Sequence, residues 1–166
     1  MLHKQCASTA IRELAHCSHF AEGLVLSMKP SENIGVFAQR HFKRGECVVK
    51  EKAVVPWTRD DVWDNKRTAK LLSHLRSHEG KAQAKKIATM YPRSYDQIPT
   101  CVTSLAALRG RVEKLLGEIS SGNSVDEDEI RESTRLLAAV KLNNHDDGCH
   151  GFGTFFNHSC SFNCEV

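Results

Sequence analysis

The sequence predicts an α+β fold in which short strands lead into a long helical insertion and strand character then returns. Three observations carry that reading. Residues 24–57 hold brief apolar and β-branched runs separated by turn signals. Residues 58–142 repeat apolar side chains at three- and four-residue spacing. Residues 143–166 become rich in glycine and phenylalanine. Strands, then helices, then strand is the order of an α+β architecture rather than of alternating α/β units. The chain has 166 residues, 40 % apolar and 26 % charged, which is globular composition and enough to bury a core.

Residues 1–23 read as an N-terminal extension. Leu24-Val25-Leu26 is the first apolar run, ended by the loop signal Lys29-Pro30-Ser31-Glu32-Asn33. Gly35-Val36-Phe37-Ala38 follows, then a turn at Arg44-Gly45-Glu46, and β-branched character resumes in Cys47-Val48-Val49 and Ala53-Val54-Val55 until Pro56 stops it. Thr58 with Asp61 resembles a capping box opening a helix whose apolar face holds Trp63, Leu71, Leu72 and Leu75. Pro92 and Pro99 bracket a break. Leu105, Leu108, Val112, Leu115, Leu116 and Ile119 then mark an amphipathic helix, broken at Ser121-Gly122-Asn123. Ser124 with Glu127 predicts a capping box for a last helix bearing Ile130, Leu136, Leu137 and Val140. Asp146-Asp147-Gly148 is a turn, and Phe152, Phe155 and Phe156 favour a strand.

The net charge of +3 implies no strong field toward nucleic acid or membrane. Locally, residues 66–93 are basic and residues 118–132 acidic. Two solvated helix faces explain this, and a basic surface for an acidic partner is the sharper alternative. The seven cysteines are irregularly spaced, and residues 1–26 lack the pattern of a signal peptide, so free thiols in a reducing compartment are expected. The first twelve residues carry Lys4 and Arg12 with no acid, which gives only a faint transit-peptide flavour. The expectation is an intracellular protein, cytoplasmic or nuclear. No apolar run approaches the roughly 20 residues of a membrane span.

Asn157-His158-Ser159-Cys160-Ser161-Phe162-Asn163-Cys164 concentrates amides, an imidazole and thiols. Cys149, His150, His158, Cys160 and Cys164 could ligate a metal, but no C-x-x-C spacing is present. His158 could activate Cys160, though no third orienting group is evident. A satisfied strand end and the binding of a polar ligand by the amides and backbone are the remaining readings.

That stretch resembles the N-H-S-C-x-P-N-C motif of SET-domain lysine methyltransferases, with Phe162 where the family usually has proline. Upstream, Asn33-Ile34-Gly35-Val36-Phe37-Ala38, then Gly45-Glu46 and Glu51, looks like the family's G-x-G opening stretch, with Asn33 replacing its first glycine. Lys141-Leu142-Asn143-Asn144-His145 resembles a segment that supplies an asparagine to the cofactor in SMYD-type members, and Gly148 stands where a glycine often does. The long helical insertion also suits that branch, but its one cysteine, Cys101, excludes a MYND zinc finger within it.

The resemblance implies a SET-type β-fold of short strands. Residues 24–57 would be its N-terminal part, residues 58–142 the insertion and residues 143–166 the start of its C-terminal part. It implies S-adenosylmethionine as cofactor and a protein substrate, histone or not, presenting a lysine side chain, with no membrane or direct nucleic-acid partner. The backbone of Asn33, Ile34 and Gly35 would hold the methionine end. Asn157 and His158 would hold the amino group and adenine side, with Asn143 as an addition. The family's catalytic tyrosine follows its N-H-S-C stretch, and Tyr91 and Tyr95 do not occupy that place. No catalytic residue and no metal ligand is therefore assigned. The expectation is an incomplete, inactive form of the enzyme; the alternative is a non-catalytic SET-like interaction module.

Overall fold

The computed structural model describes residues 17–28, 34–56, 64–99, 104–121, 123–145 and 148–150. Among them are six short strands, paired antiparallel in three two-stranded ladders, and four α-helices. The described residues divide into two compact units, one covering Cys17 to Lys52 and the other Ala53 to His150.

In the first unit, β1 (Cys17–Phe20) pairs with β4 (Val49–Glu51), with an irregular register between Cys17 and His19. β2 (Leu24–Met28) pairs with β3 (Ile34–Ala38) in unbroken register from Leu24 opposite Ala38 to Met28 opposite Ile34. The strand region therefore begins at Cys17, inside the segment that the sequence assigns to an extension. Cys-Ser-His-Phe has no β-branched residue, and its strand form rests on partner bonds such as Cys17 with Glu51 rather than on propensity. Among the side chains described in this unit, only Ala21 is buried.

The second unit is helical. α1 (Asn65–Arg76) starts where the Asp64 carboxylate accepts the Arg67 backbone N–H at 2.9 Å. Thr58, Asp61 and Trp63, which the sequence places at this start, lie outside the described residues. α2 (Lys81–Ala88) leads to the break at Pro92 and a short 3₁₀ turn, Tyr95–Gln97. α3 (Leu105–Ile119) is capped by the Ser104 hydroxyl, which accepts the Ala107 N–H at 3.0 Å, and it buries Leu108, Val112, Leu115 and Leu116 as its periodicity requires.

α4 (Glu127–Leu142) departs from expectation. Its N-cap is Asp126, which makes no side-chain cap bond, so the Ser124–Glu127 box is not what starts the helix. The Glu129 carboxylate, three residues past that cap, instead pairs with Arg76 at 2.6 Å. Glu127, Asp128 and Glu129 still favour this end through the helix dipole.

Burial on α4 is also wider than one face. Every residue from Ser133 to Val140 is buried. The Arg135 side chain, 6 % exposed, pairs with Glu132 and donates to the carbonyls of Ala88 at 3.4 Å and Pro92 at 3.3 Å. Thr134 Oγ1 donates to the Ile130 carbonyl at 2.7 Å, which satisfies a buried hydroxyl. Leu137 and Val140 meet Leu72, Ile87, Val112 and Leu116 in one apolar cluster. Full burial of each such side chain contributes about 1.5–3 kcal/mol.

β5 (Asn144–His145) and β6 (Gly148–Cys149) form a hairpin after α4. Asp146 and Asp147, between them, lie outside the described residues, as do Phe152, Phe155 and Phe156. Val54 N–H donates to the Cys149 carbonyl and Cys149 N–H to the Val55 carbonyl, both at 2.8 Å. The start of this unit is thus bonded to its last strand, β6, through an isolated antiparallel bridge. Gly148, at φ +148°, permits the approach: a Cβ there would stand 2.6 Å from the Val55 carbonyl oxygen and 2.7 Å from the Ala53 Cβ.

Candidate cofactor-binding residues

Of the residues singled out in the sequence, Ile34 and Gly35 lie on β3, opposite Met28 and Ser27. Asn33, Asn157 and His158 lie outside the described residues, together with Cys160, Asn163 and Cys164. The structure therefore does not display the two principal motifs side by side.

The Gly45-Glu46 pair has a visible local role. Gly45 turns the chain at φ +80°. Glu46 then accepts the Lys43 backbone N–H at 2.9 Å and pairs with Arg40. Arg40 also donates to the Glu22 and His41 carbonyls at 2.8 and 2.9 Å, and its guanidinium lies 3.9 Å from the centre of the Phe42 ring. The Arg40 bond first, and the Lys43 N–H second, lower the Glu46 carboxyl from 4.5 to about 2. One arginine thus fixes the turn that follows β3.

Asn143 ends α4. Its Nδ2 donates to the Ala139 carbonyl at 2.6 Å, closing the last helical turn, and to the Tyr91 carbonyl at 2.7 Å. Both amide hydrogens are thereby committed to backbone, and Asn143 ties the helix end to the turn before the 3₁₀ segment. Nearby, burial first and the neighbouring Arg111 charge second lower the Lys141 pKa.

Asn144 is the residue that sequence reading missed. Both polar atoms of its side chain are buried, and neither has a hydrogen-bond partner among the described residues. Leaving a buried amide group unpaired costs about 1–3 kcal/mol. An amide in this condition suits a ligand that accepts one hydrogen bond and donates another. The sequence offers two adjacent asparagines and nothing to separate them; the structure shows the Nδ2 group of the first donating to backbone carbonyls and the amide of the second buried without a partner among the described residues.

Tyr91 and Tyr95 both serve the break between α2 and α3. The Tyr91 hydroxyl donates to the Gln97 carbonyl at 2.9 Å, and Arg131 stacks 4.4 Å from the Tyr95 ring centre. Cys149 is buried with its Sγ 3.5 Å from the Met90 sulfur, and Cys47 is an exposed free thiol. Among the described residues no three His, Cys, Asp or Glu side chains converge as a metal site would require, and no helix is long and apolar enough to cross a membrane.

The family model of the SET domain matches residues 33–166, a span that takes in the opening stretch, the helical insertion and the N-H-S-C stretch. The chain belongs to the SET-domain family, whose members are in general protein-lysine methyltransferases that use S-adenosylmethionine. No curated protein and no solved structure matches it.

Proposed function

We propose that the protein is an S-adenosylmethionine-dependent protein-lysine N-methyltransferase of a SMYD-like branch without a MYND finger. The observation that carries this is the single SET-domain match running from Asn33 through both motif stretches, in order, around a helical insertion. Residues 24–57 and 143–166 are the SET parts in this reading, and residues 58–142 the insertion.

In this reading Asn33, Ile34 and Gly35 offer backbone groups to the methionine end of the cofactor. Asn157 and His158 hold its amino group and adenine side. Asn143 fixes the helix end from which Asn144 follows, and the unpaired buried amide of Asn144 supports a polar ligand there. It fits either the adenine edge or the amino-acid end of S-adenosylmethionine, each of which presents a donor beside an acceptor. When bound, the cofactor supplies an electrophilic methyl group. The protein's share is to align it with a substrate lysine and to keep water out. A free lysine amine titrates at about 10.4, and a dry channel disfavours its charged form, leaving the neutral nucleophile. The substrate is a protein, histone or not.

The decisive measurement is cofactor binding, which tests the named cofactor-binding residues directly. Calorimetry with S-adenosylmethionine should show binding by the unaltered chain and loss of it in Asn157→Ala. Equal binding by both would remove Asn157 from the site. Binding by neither would favour a non-catalytic interaction module.

A further inference from the structure

The charges of the helical unit are answered unequally. Four of its acidic residues meet arginines: Glu127 with Arg109 and Glu129 with Arg76, each at 2.6 Å, Asp96 with Arg131 at 3.3 Å, and Glu132 with Arg135. Four lysines on the two basic helices lack such a partner among the described residues. Neither α1 nor α2 contains an Asp or Glu. Lys66 and Lys70 on α1, and Lys81 and Lys85 on α2, are exposed and have no ion-pair or hydrogen-bond partner among the described residues.

Their arrangement opposes the helices that carry them. Each pair stands four residues apart, so the two ammonium groups share one side of the helix and repel. Lys81 is also the first residue of α2, where the helix dipole disfavours a cation and no acid in the first turn offsets it. The core-facing residues, Leu71, Leu72 and Leu75 on α1 and Ile87 on α2, occupy the other side. Four unpaired lysines set against their own helices are relieved when an anionic partner lies across them.

We infer that the outward faces of α1 and α2 form a docking surface for an acidic segment, rich in Asp and Glu, of a protein partner. A nucleic acid fits less well. Neither helix carries a Phe, Tyr or Trp on which a base could stack, and the chain's net charge is only +3. The inference rests on the proposed function only in taking the partner to be a protein. Such a surface raises the local concentration of a substrate bearing an acidic stretch near its target lysine.

The test compares residues 1–166 with the variant K66Q/K70Q/K81Q/K85Q. Fluorescence anisotropy is read with a labelled peptide of alternating Asp and Glu and with a single-stranded DNA of equal charge. The unaltered chain should bind the peptide more tightly than the DNA, and the variant should bind the peptide about tenfold more weakly. The variant's thermal midpoint should hold or rise by about 2 °C, because the like-charge pairs are gone. Undiminished peptide binding in the variant, or tighter binding of the DNA by the unaltered chain, would overturn the inference. Cofactor calorimetry on the same samples separates the two proposals. Peptide binding without cofactor binding leaves this surface standing and sinks the methyltransferase reading; the converse sinks only the surface.

Discussion

Between Ala53 and His150, side chains from four helices close over one another until Ile87, Val112, Leu116, Leu137 and Val140 are wholly buried. Between Cys17 and Lys52, the described side chains bury only Ala21, and order there comes from backbone ladders and the Arg40–Glu46 turn. Hydrophobic burial is the main favourable term in folding, whereas two-stranded ladders are marginal by themselves. The helical unit therefore carries an apolar core of its own, and no such core is seen among the described side chains of Cys17 to Lys52. The comparison teaches that the insertion, which carries little sequence signature, holds nearly all of the buried apolar side chains among the described residues.

The sharpest way to break this contrast is a pair of truncations. Leu137→Ala should destabilise the fold by about 2–5 kcal/mol, the usual loss for a fully buried leucine. Val25→Ala, on a half-buried strand position opposite Phe37, should stay within about 1 kcal/mol. Urea denaturation measures both, and equal losses would abolish the distinction.

A smaller effect concerns the helix end. Asn144→Leu replaces an unpaired buried amide with an apolar group of similar size and should leave stability unchanged or raise it by about 1 kcal/mol, while weakening S-adenosylmethionine binding. A loss of stability on that substitution would mean that the amide is already satisfied within the fold.

The smallest effect is confined to acid. The Glu46 carboxyl titrates at about 2 in the folded chain against an ordinary 4.5, so its ionised form favours folding above the ordinary value. That contribution fades as pH falls from 4.5 toward 2. The gap in thermal midpoint between the unaltered chain and Glu46→Gln should therefore narrow across this window and close below it. A gap that stays constant down to pH 2 would show that Arg40 does not hold the carboxylate.

Much of this organisation is legible in the sequence where local physics decides it. The α3 stripe from Leu105 to Ile119 and the turn at Gly45 follow from spacing and residue type. What escaped was set by contacts distant in sequence. β1 exists because β4 pairs with it, and its four residues advertise no strand. The Ser124 box fails because the helix is capped two residues later, at Asp126, and Glu127 pairs with Arg109. Thr134 and Arg135 are buried although polar, because Ile130, Ala88 and Pro92 offer carbonyls to them. For the site, the motif residues could be named from resemblance, but the different hydrogen bonding of Asn143 and Asn144 became visible only at the helix end itself.

The paired backbones of Val54-Val55 and Cys149 give the helical unit a property of a different kind. The chain enters and leaves it through one antiparallel bridge, so its two ends stand a strand's spacing apart, about 4.8 Å. Helices can be lengthened, shortened or exchanged beyond that gate without altering the gap that the flanking chain must span. The unit is a graftable module, free to change in size and surface while its doorway stays the same.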